Sequence, residues 1–493
     1  MSAKPQRQYL VGTLNTRGIN ANTNFTTYDQ LYQNVIFVPI KNEVMGTTMV
    51  YVEKRPGFAA GATLTNIAVT TQTFWWAART SYGGGVVHAG LDVGLNAVVL
   101  VGDTVIKTHA NGTVVRYITE TLNSAGTAFL TWTRPLANEV WGYADGGAAA
   151  QITVPSNSVG RMEHMDGWSF IGAKAPARIY NNVTINDPTS AYTSYISCDT
   201  EADRLQTVLK YGRYILGMGS TSIEWFVNAG NPTFSPLSRI QDPGLTAKYA
   251  KIGLYGTAGT EAGAVCIGGG SVWFISQGAD CGIALHRIHG TELTKIASPI
   301  VERILTQSAA SYQVKYIEWA GIPMVIIVLG TTSAALVYFP QVGLWSYWLA
   351  STNTNWNTLV NDVSGIEGSG LRAMNNATIY QWSATTPVYQ DNATNITRLI
   401  RTATNDYGSS NYKQCQKLVI IGDKATSTQN ISTRYSDDDY ATYSTAKNID
   451  MSLQKPEIWR EGRFVRRAYE LSDTNNSAGR IVAIEPWIEE LSG

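Results

Sequence analysis

Tyr211-Gly212-Arg213-Tyr214-Ile215-Leu216-Gly217-Met218-Gly219-Ser220-Thr221-Ser222-Ile223-Glu224-Trp225-Phe226-Val227 reads as a β-hairpin preceded by a Gly-bearing turn. Tyr214 to Met218 is an apolar strand, Gly219-Ser220-Thr221 turns the chain, and Ser222 to Val227 returns as an amphipathic strand. One such pair cannot bury its own apolar face. A chain that repeats it must close or stack the copies into an all-β body.

Looser copies lie on both sides. Val98-Val99-Leu100-Val101 turns at Gly102-Asp103 into Thr104-Val105-Ile106-Lys107, and Trp168 to Gly172 turns near Lys174-Ala175-Pro176 into Arg178-Ile179-Tyr180. Downstream, Val272 to Ile275 returns through Ile283 to Ile288, Met324 to Leu329 as Ala335 to Tyr338, and Leu371 to Met374 as Thr378 to Trp382. About six copies near the period of four-stranded blades predict a β-propeller of six blades, with five or seven also compatible. The first interval is long enough to hide an insertion or a further strand pair. Helix signals are scarce. Ser298-Pro299-Ile300-Val301-Glu302-Arg303-Ile304-Leu305 is the best, with Ser298 as N-cap, Pro299 at the first helical position, and Ile300 and Ile304 on one face.

Residues 1–56 read as an extended arm around the strand Val35-Ile36-Phe37-Val38, packed with the C-terminal unit and closed by the turn Arg55-Pro56-Gly57-Phe58. Residues 57–390 read as the propeller. Past a Thr/Asn-rich link, residues 391–493 read as a β-sandwich-like platform, with Lys417-Leu418-Val419-Ile420-Ile421 its clearest strand.

The composition limits the partners. Thirty-seven basic and 37 acidic residues cancel, so no global field draws the chain to nucleic acid or an anionic membrane. Any DNA contact must come from local placement of charge. Cys198, Cys266, Cys281 and Cys415 lie far apart without C-x-x-C spacing, as buried or unpaired thiols would. Met1 to Leu10 holds no apolar signal core, and the longest apolar run, Met324 to Leu329, is far short of a membrane span. The expectation is a chain kept soluble in a cytosol.

A catalytic constellation is hard to assemble. His286-Arg287-Ile288-His289 falls in a predicted strand, where residues three apart point to opposite faces, and no metal site is expected there. His88, His109 and His164 are isolated. Gly83-Gly84-Gly85 and Gly268-Gly269-Gly270 lack the Lys-Ser/Thr of a phosphate loop and read as turns, and no cofactor is expected. Triplets such as Asn111-Gly112-Thr113 follow from an Asn/Thr-rich composition. Ser436-Asp437-Asp438-Asp439-Tyr440-Ala441-Thr442-Tyr443 resembles the Asp-box hairpin of sialidase-type propellers, with Tyr440 in place of its Gly and Tyr443 in place of its Trp. That box is a capped turn rather than a catalytic site. A glycosidase needs two facing carboxylates, for which Glu224 and Asp242 are candidates, although ordinary strand or turn roles account for them far better. Arg460, Arg463, Arg466 and Arg467, interleaved with Trp459, Phe464 and Tyr469, form the one basic-aromatic cluster. In a continuous strand Arg463, Val465, Arg467 and Tyr469 share a face, which would meet solvent, another subunit or DNA phosphates.

Several segments, in order, resemble the packaged-DNA stabilisation protein of short-tailed bacteriophages, also called the tail hub or nozzle. They are Lys54-Arg55-Pro56-Gly57-Phe58, the strand Gly217 to Phe226, and the stretch from Gly253 through Val272-Trp273-Phe274-Ile275-Ser276 to Ile296-Ala297-Ser298-Pro299-Ile300-Val301-Glu302-Arg303-Ile304. Val337-Tyr338-Phe339 with Leu344-Trp345-Ser346-Tyr347-Trp348 is similar to that family's blade ending, and Tyr435-Ser436-Asp437-Asp438 through Trp459 to Tyr469 to its C-terminal strands. Tyr440 departs from the usual Gly, and residues 110–160 are unmatched. The resemblance implies a non-enzymatic virion subunit, located in the tail and in the host cytoplasm during assembly. It would form a homohexameric ring below the head–tail connector or adaptor, meet tail spikes or fibres and a tail needle or plug, retain packaged DNA, and conduct double-stranded DNA without sequence specificity during ejection. A propeller glycosidase or carbohydrate-binding module is the alternative.

Overall fold

The structure, a computed structural model, describes residues 4–10, 31–63, 77–382 and 388–491, apart from 43–46 and several stretches between 79 and 382. Gly83–Gly85, His88, Asn111, Asp242 and Cys281 lie outside the described residues. Among the described residues, five four-stranded antiparallel sheets and one four-stranded antiparallel section of a nine-stranded sheet follow one another, here numbered as blades. Blade 1 spans 117–152, blade 2 158–197, blade 3 205–240, blade 4 265–295 and blade 5 312–349. Blade 6 spans 358–382 and takes its fourth strand, Phe58–Thr63, from the N-terminal end of the chain. The chain is an all-β propeller with an added two-sheet unit.

Each of the five later hairpins read from the sequence supplies the two middle strands of a blade, such as Tyr214–Gly219 and Ile223–Asn228 in blade 3. The reason is burial on both faces. In blade 3, Ile215 and Phe226 share a core with Ile179 of blade 2, while their neighbours Leu216 and Trp225 belong to the core that holds Val272 and Phe274 of blade 4. In blade 5, Met324, Ile326 and Val328 face one way and Val325, Ile327 and Leu329 the other, all at most 2% exposed. Alternate side chains of one strand therefore pack against different neighbours. Each buried side chain of this size is worth about 1.5–3 kcal/mol. First strands of successive blades pack together, Ser158–Met165 on Leu205–Tyr211 and Val265–Gly268 on Tyr312–Trp319, and so face the propeller axis.

The first hairpin is a correction. Leu95–Val99 and Thr104–His109 do pair, but within a separate three-stranded sheet with Ala77–Ala78. Blade 1 is instead built from residues 117–152, outside the hairpins that the sequence predicts. Its strands, such as Ala128–Arg134 (Ala-Phe-Leu-Thr-Trp-Thr-Arg), alternate apolar residues with threonine and lack the continuous apolar run that marks the later blades.

Helix α1 (Pro299–Gln307) joins blades 4 and 5. Its cap is as expected: the Ser298 hydroxyl accepts the Val301 N–H at 3.4 Å, and Ile300, Val301, Ile304 and Leu305 are buried. It packs on Ile283–His289 of blade 4. Among the described residues no helix is long and apolar enough to cross a membrane.

Beyond the blades lie two platform sheets. The seven-stranded sheet runs Glu457–Phe464, Lys413–Gly422, Ile481–Glu490, Thr47–Lys54, Val35–Asn42, with Lys4–Pro5 and Gln8–Tyr9 also on Ile481–Glu490. The arm is thus hydrogen-bonded into the C-terminal unit. The second sheet is continuous with blade 5: after Leu344–Leu349 come Leu31–Gln33, Arg398–Arg401, Ala468–Asp473, Asn430–Ser436 and Lys447–Asp450, nine strands in all. Leu31–Gln33 lies parallel to the blade and antiparallel to the platform strand beyond it.

Candidate functional site

The basic-aromatic cluster does not lie on one strand. Glu457–Phe464 belongs to the seven-stranded sheet and Ala468–Asp473 to the nine-stranded one, so the chain changes sheet at Val465-Arg466. Arg467 faces neither solvent nor a partner: it is fully buried. Its Nε and Nη2 donate to Asp437 at 2.7 and 2.8 Å, its Nη1 donates to the Glu461 carbonyl at 2.6 Å, and its guanidinium stacks over Tyr435 and Phe464. Arg460, Arg463 and Arg466 remain exposed beside Trp459, which is 56% exposed. Arg466 pairs with Asp439 at 2.6 Å. Arg460 has φ 64° at a bulge, where it and Glu461 oppose Gln416 alone. Arg467→Ala should therefore cost about 2–3 kcal/mol of stability, because Asp437 and the Glu461 and Arg463 carbonyls lose a buried donor. Arg463→Ser should stay within about 0.5 kcal/mol, as exposed positions do. Urea unfolding of the two variants separates the roles.

The three successive aspartates each do something different. Asp437 holds Arg467, and Asp439 holds Arg466 and accepts the Thr404 hydroxyl at 3.0 Å. Asp438 accepts the Thr442 N–H at 2.9 Å and the Thr442 hydroxyl at 2.6 Å, and these hydrogen bonds hold its carboxyl below the usual range. This is a capped turn, as read. Tyr440 stands in the left-handed region, φ 68°, where such a turn favours glycine. Its buried ring compensates, and its hydroxyl donates to the Thr402 carbonyl at 2.5 Å.

The remaining candidates are structural. His286 is buried and stacked on Phe274, and burial lowers its pKa to about 4. His289 is exposed on the opposite side of the strand. His164 sits against the Ser169 hydroxyl at 2.7 Å, its pKa lowered to about 3 mainly by burial. Burial pushes the Cys198 and Cys415 thiols up, Cys415 to about 11. Glu224 accepts the Thr200 N–H at 3.0 Å and pairs with Arg239 at 2.8 Å, and Arg239 also binds Asp199 at 2.5 Å. One guanidinium thus ties both carboxylates. Burial still raises the Glu224 pKa against the pull of Thr200 and Arg239. A small apolar cleft lies between α1 and blade 5, lined by residues such as Tyr32, Ile300, Ile304 and Trp345, with no acid, histidine or thiol in its wall. No group of three or more metal-ligating side chains occurs among the described residues.

The densest buried chemistry lies where arm, propeller and platform meet. Glu53 and Lys54 end the otherwise mostly apolar strand Thr47–Lys54, Arg55 directly follows it, and all three are buried. Glu53 accepts from Arg480 at 3.0 Å and from the Tyr389 hydroxyl at 3.3 Å. Lys54 binds Asp473 at 2.5 Å and the Asn475 carbonyl at 2.6 Å, and Arg398 binds the other oxygen of Asp473 at 2.7 Å. Arg55 forks onto Asp391 at 3.0 and 2.7 Å, both side chains fully buried, and lies over Phe58 and Trp348. Burial lowers the Lys54 pKa to about 8 despite Asp473, and the nearby positive charges of Arg398 and Arg55 push it the same way. Asp473 is held below the usual range: burial would raise it, but Arg398 and Lys54 outweigh that. Three adjacent charges at the end of an apolar strand were the available signal. Their charged partners, more than 300 positions away, were not readable.

Residues 136–367 match the model of a family described as bacteriophage P22 Gp10, beta-propeller. No curated protein matches the chain. Among solved structures, the chain is similar to the WD40 domain of Toxoplasma gondii coronin, 11% identical over 72% of this chain and 87% of that one, with a TM-score of 0.39. It is also similar to an exo-beta-1,3-galactanase from Phanerochaete chrysosporium with galactose, 7% identical over 75% of this chain and 95% of that one, with a TM-score of 0.26.

Proposed function

From the premise that residues 136–367 of this chain belong to the phage packaged-DNA stabilisation propeller family, we propose that the protein is a structural subunit of a short phage tail. Six copies form a ring below the head–tail connector, which retains the packaged genome and conducts it during ejection. The family match carries the reading. Two physical features support it. Blade 5 and the platform share one nine-stranded sheet, so the subunit is suited to bear load as a single body. The net formal charge is zero, which suits a conduit, since a surface neutralising many phosphates would hold the DNA it must release. The ring meets connector, spikes or fibres, and a needle or plug through surfaces that include the exposed platform edge at Trp459, Arg460 and Arg463.

The glycosidase reading needs two carboxylates facing one cleft. Glu224, its described candidate, is bound instead by Arg239 and the Thr200 N–H. Electron microscopy of purified particles, and of the recombinant protein, tests the proposal. The expected result is a six-fold ring directly beneath the connector. A stable monomer that is absent from particles would overturn it.

A further inference from the structure

We propose that the Asp391 carboxylate is a latch that ties the closing strand of the propeller to the exit from blade 5 and the return from blade 6, so that these three segments open as one unit. The strand that closes blade 6, Phe58-Ala59-Ala60-Gly61-Ala62-Thr63, is made almost wholly of small residues. Past Phe58 it offers little apolar area to bury, so hydrophobic packing holds it weakly. Its register against Thr378–Trp382 is also irregular. What anchors it lies immediately before it.

Asp391 gathers three chain segments. Its Oδ1 accepts from Arg55 Nη1 and from the Phe58 N–H, both at 3.0 Å; its Oδ2 accepts from Arg55 Nη2 at 2.7 Å and from the Ser351 N–H at 3.2 Å. The closure strand, the exit from blade 5 and the return from blade 6 thus converge on one buried carboxylate. Asn34 reinforces the junction, its Oδ1 accepting from Arg55 Nε at 3.0 Å and from the Leu349 N–H at 2.9 Å. Backbone bonds complete it: Gly57 N–H donates to the Val388 carbonyl at 2.7 Å and Asn392 N–H to the Phe58 carbonyl at 2.8 Å. No linker separates this junction from the platform, because Arg55 directly follows the platform strand Thr47–Lys54. A buried, bidentate, fully hydrogen-bonded pair resists opening in a way that a strand of small residues cannot. The latch stands whether or not the protein assembles into a ring.

Hydrogen exchange of the full-length chain tests this. In the unmodified protein under increasing low denaturant, the amides of Phe58, Leu349, Ser351, Tyr389 and Asn392 should converge on one opening transition. Separate transitions for the three segments would overturn the latch. In Asp391→Asn, which leaves Arg55 without its anion, the amides of Phe58–Thr63 should exchange about a hundredfold faster or more, the scale of a lost buried ion pair, while those of Tyr214–Asn228 in blade 3 keep their protection. A folded variant whose closure strand stays protected, or one whose blades all lose protection equally, would also overturn it. Should Asp391→Asn fail to fold, the measurement on the unmodified chain still decides.

Discussion

Asp473→Ala should cost about 3–5 kcal/mol of stability, because it strands two buried cations on a single missing anion. Lys54 and Arg398 each reach Asp473 within 2.7 Å, and all three side chains are at most 2% exposed. Water cannot replace the carboxylate there without opening the sheet. The opposite deletion should be mild. Lys54→Met leaves Asp473 neutralised by Arg398, and removes one of two like charges that the site had to hold together; a change within about 1 kcal/mol is expected. The two variants also differ with pH. The Lys54 pKa is about 8 in the folded chain and 10.5 as its ordinary value. Between those limits the unfolded chain binds the extra proton, so stability rises as pH climbs through this window. Lys54→Met should abolish that increment. At the acid end the depressed Asp473 contributes stability that is present above its ordinary pKa and lost as pH falls through its folded one, and Asp473→Ala lacks that acid limb. Denaturant midpoints across pH, compared with the unmodified chain, check both. Equal losses for Lys54→Met and Asp473→Ala would contradict the shared-anion account.

Gly57→Ala should cost about 3 kcal/mol or more, a large effect for one methyl group. A Cβ at that position would lie 1.9 Å from the Gln390 carbonyl oxygen and 2.4 Å from its carbon. Neither backbone can yield easily. Gly57 donates to Val388, and Phe58 accepts from Asn392, so the two chains are pinned on both sides of the clash. The denaturation midpoint should fall, with protection of Phe58–Thr63 lost first. A variant with an unchanged midpoint would show that the two segments have room to separate.

The propeller was legible because the middle strands of blades 2–5 are buried on both sides, and such strands write themselves as apolar runs. Outer strands do not: Ser194–Ser197 and Glu292–Lys295 are largely polar, and none was read as a blade edge. Blade 1 escaped because its apolar residues alternate with threonine and form no continuous apolar run. Arg467 was misplaced by a physical ambiguity. Alternation assigns a common face only while the strand continues, and a change of sheet at Val465-Arg466 carries no composition signal. The Asp box was readable despite Tyr440, because the capping chemistry of Ser436, Asp438 and Thr442 is local. The salt-bridged junction was not, since Asp391 and Asp473 look like any loop or strand carboxylate until the chain returns to residues 54 and 55.

The bonds from Gly57 to Val388 and from Asn392 to Phe58 have one more consequence. The chain enters and leaves its disc of blades through a single doorway, so topologically the disc is an insert spliced into one turn of the platform. A disc with more or fewer blades could be exchanged there as a cassette without rethreading the rest. Two seams must be copied for the splice to hold: the doorway itself, and the edge of the blade that zips onto Leu31–Gln33.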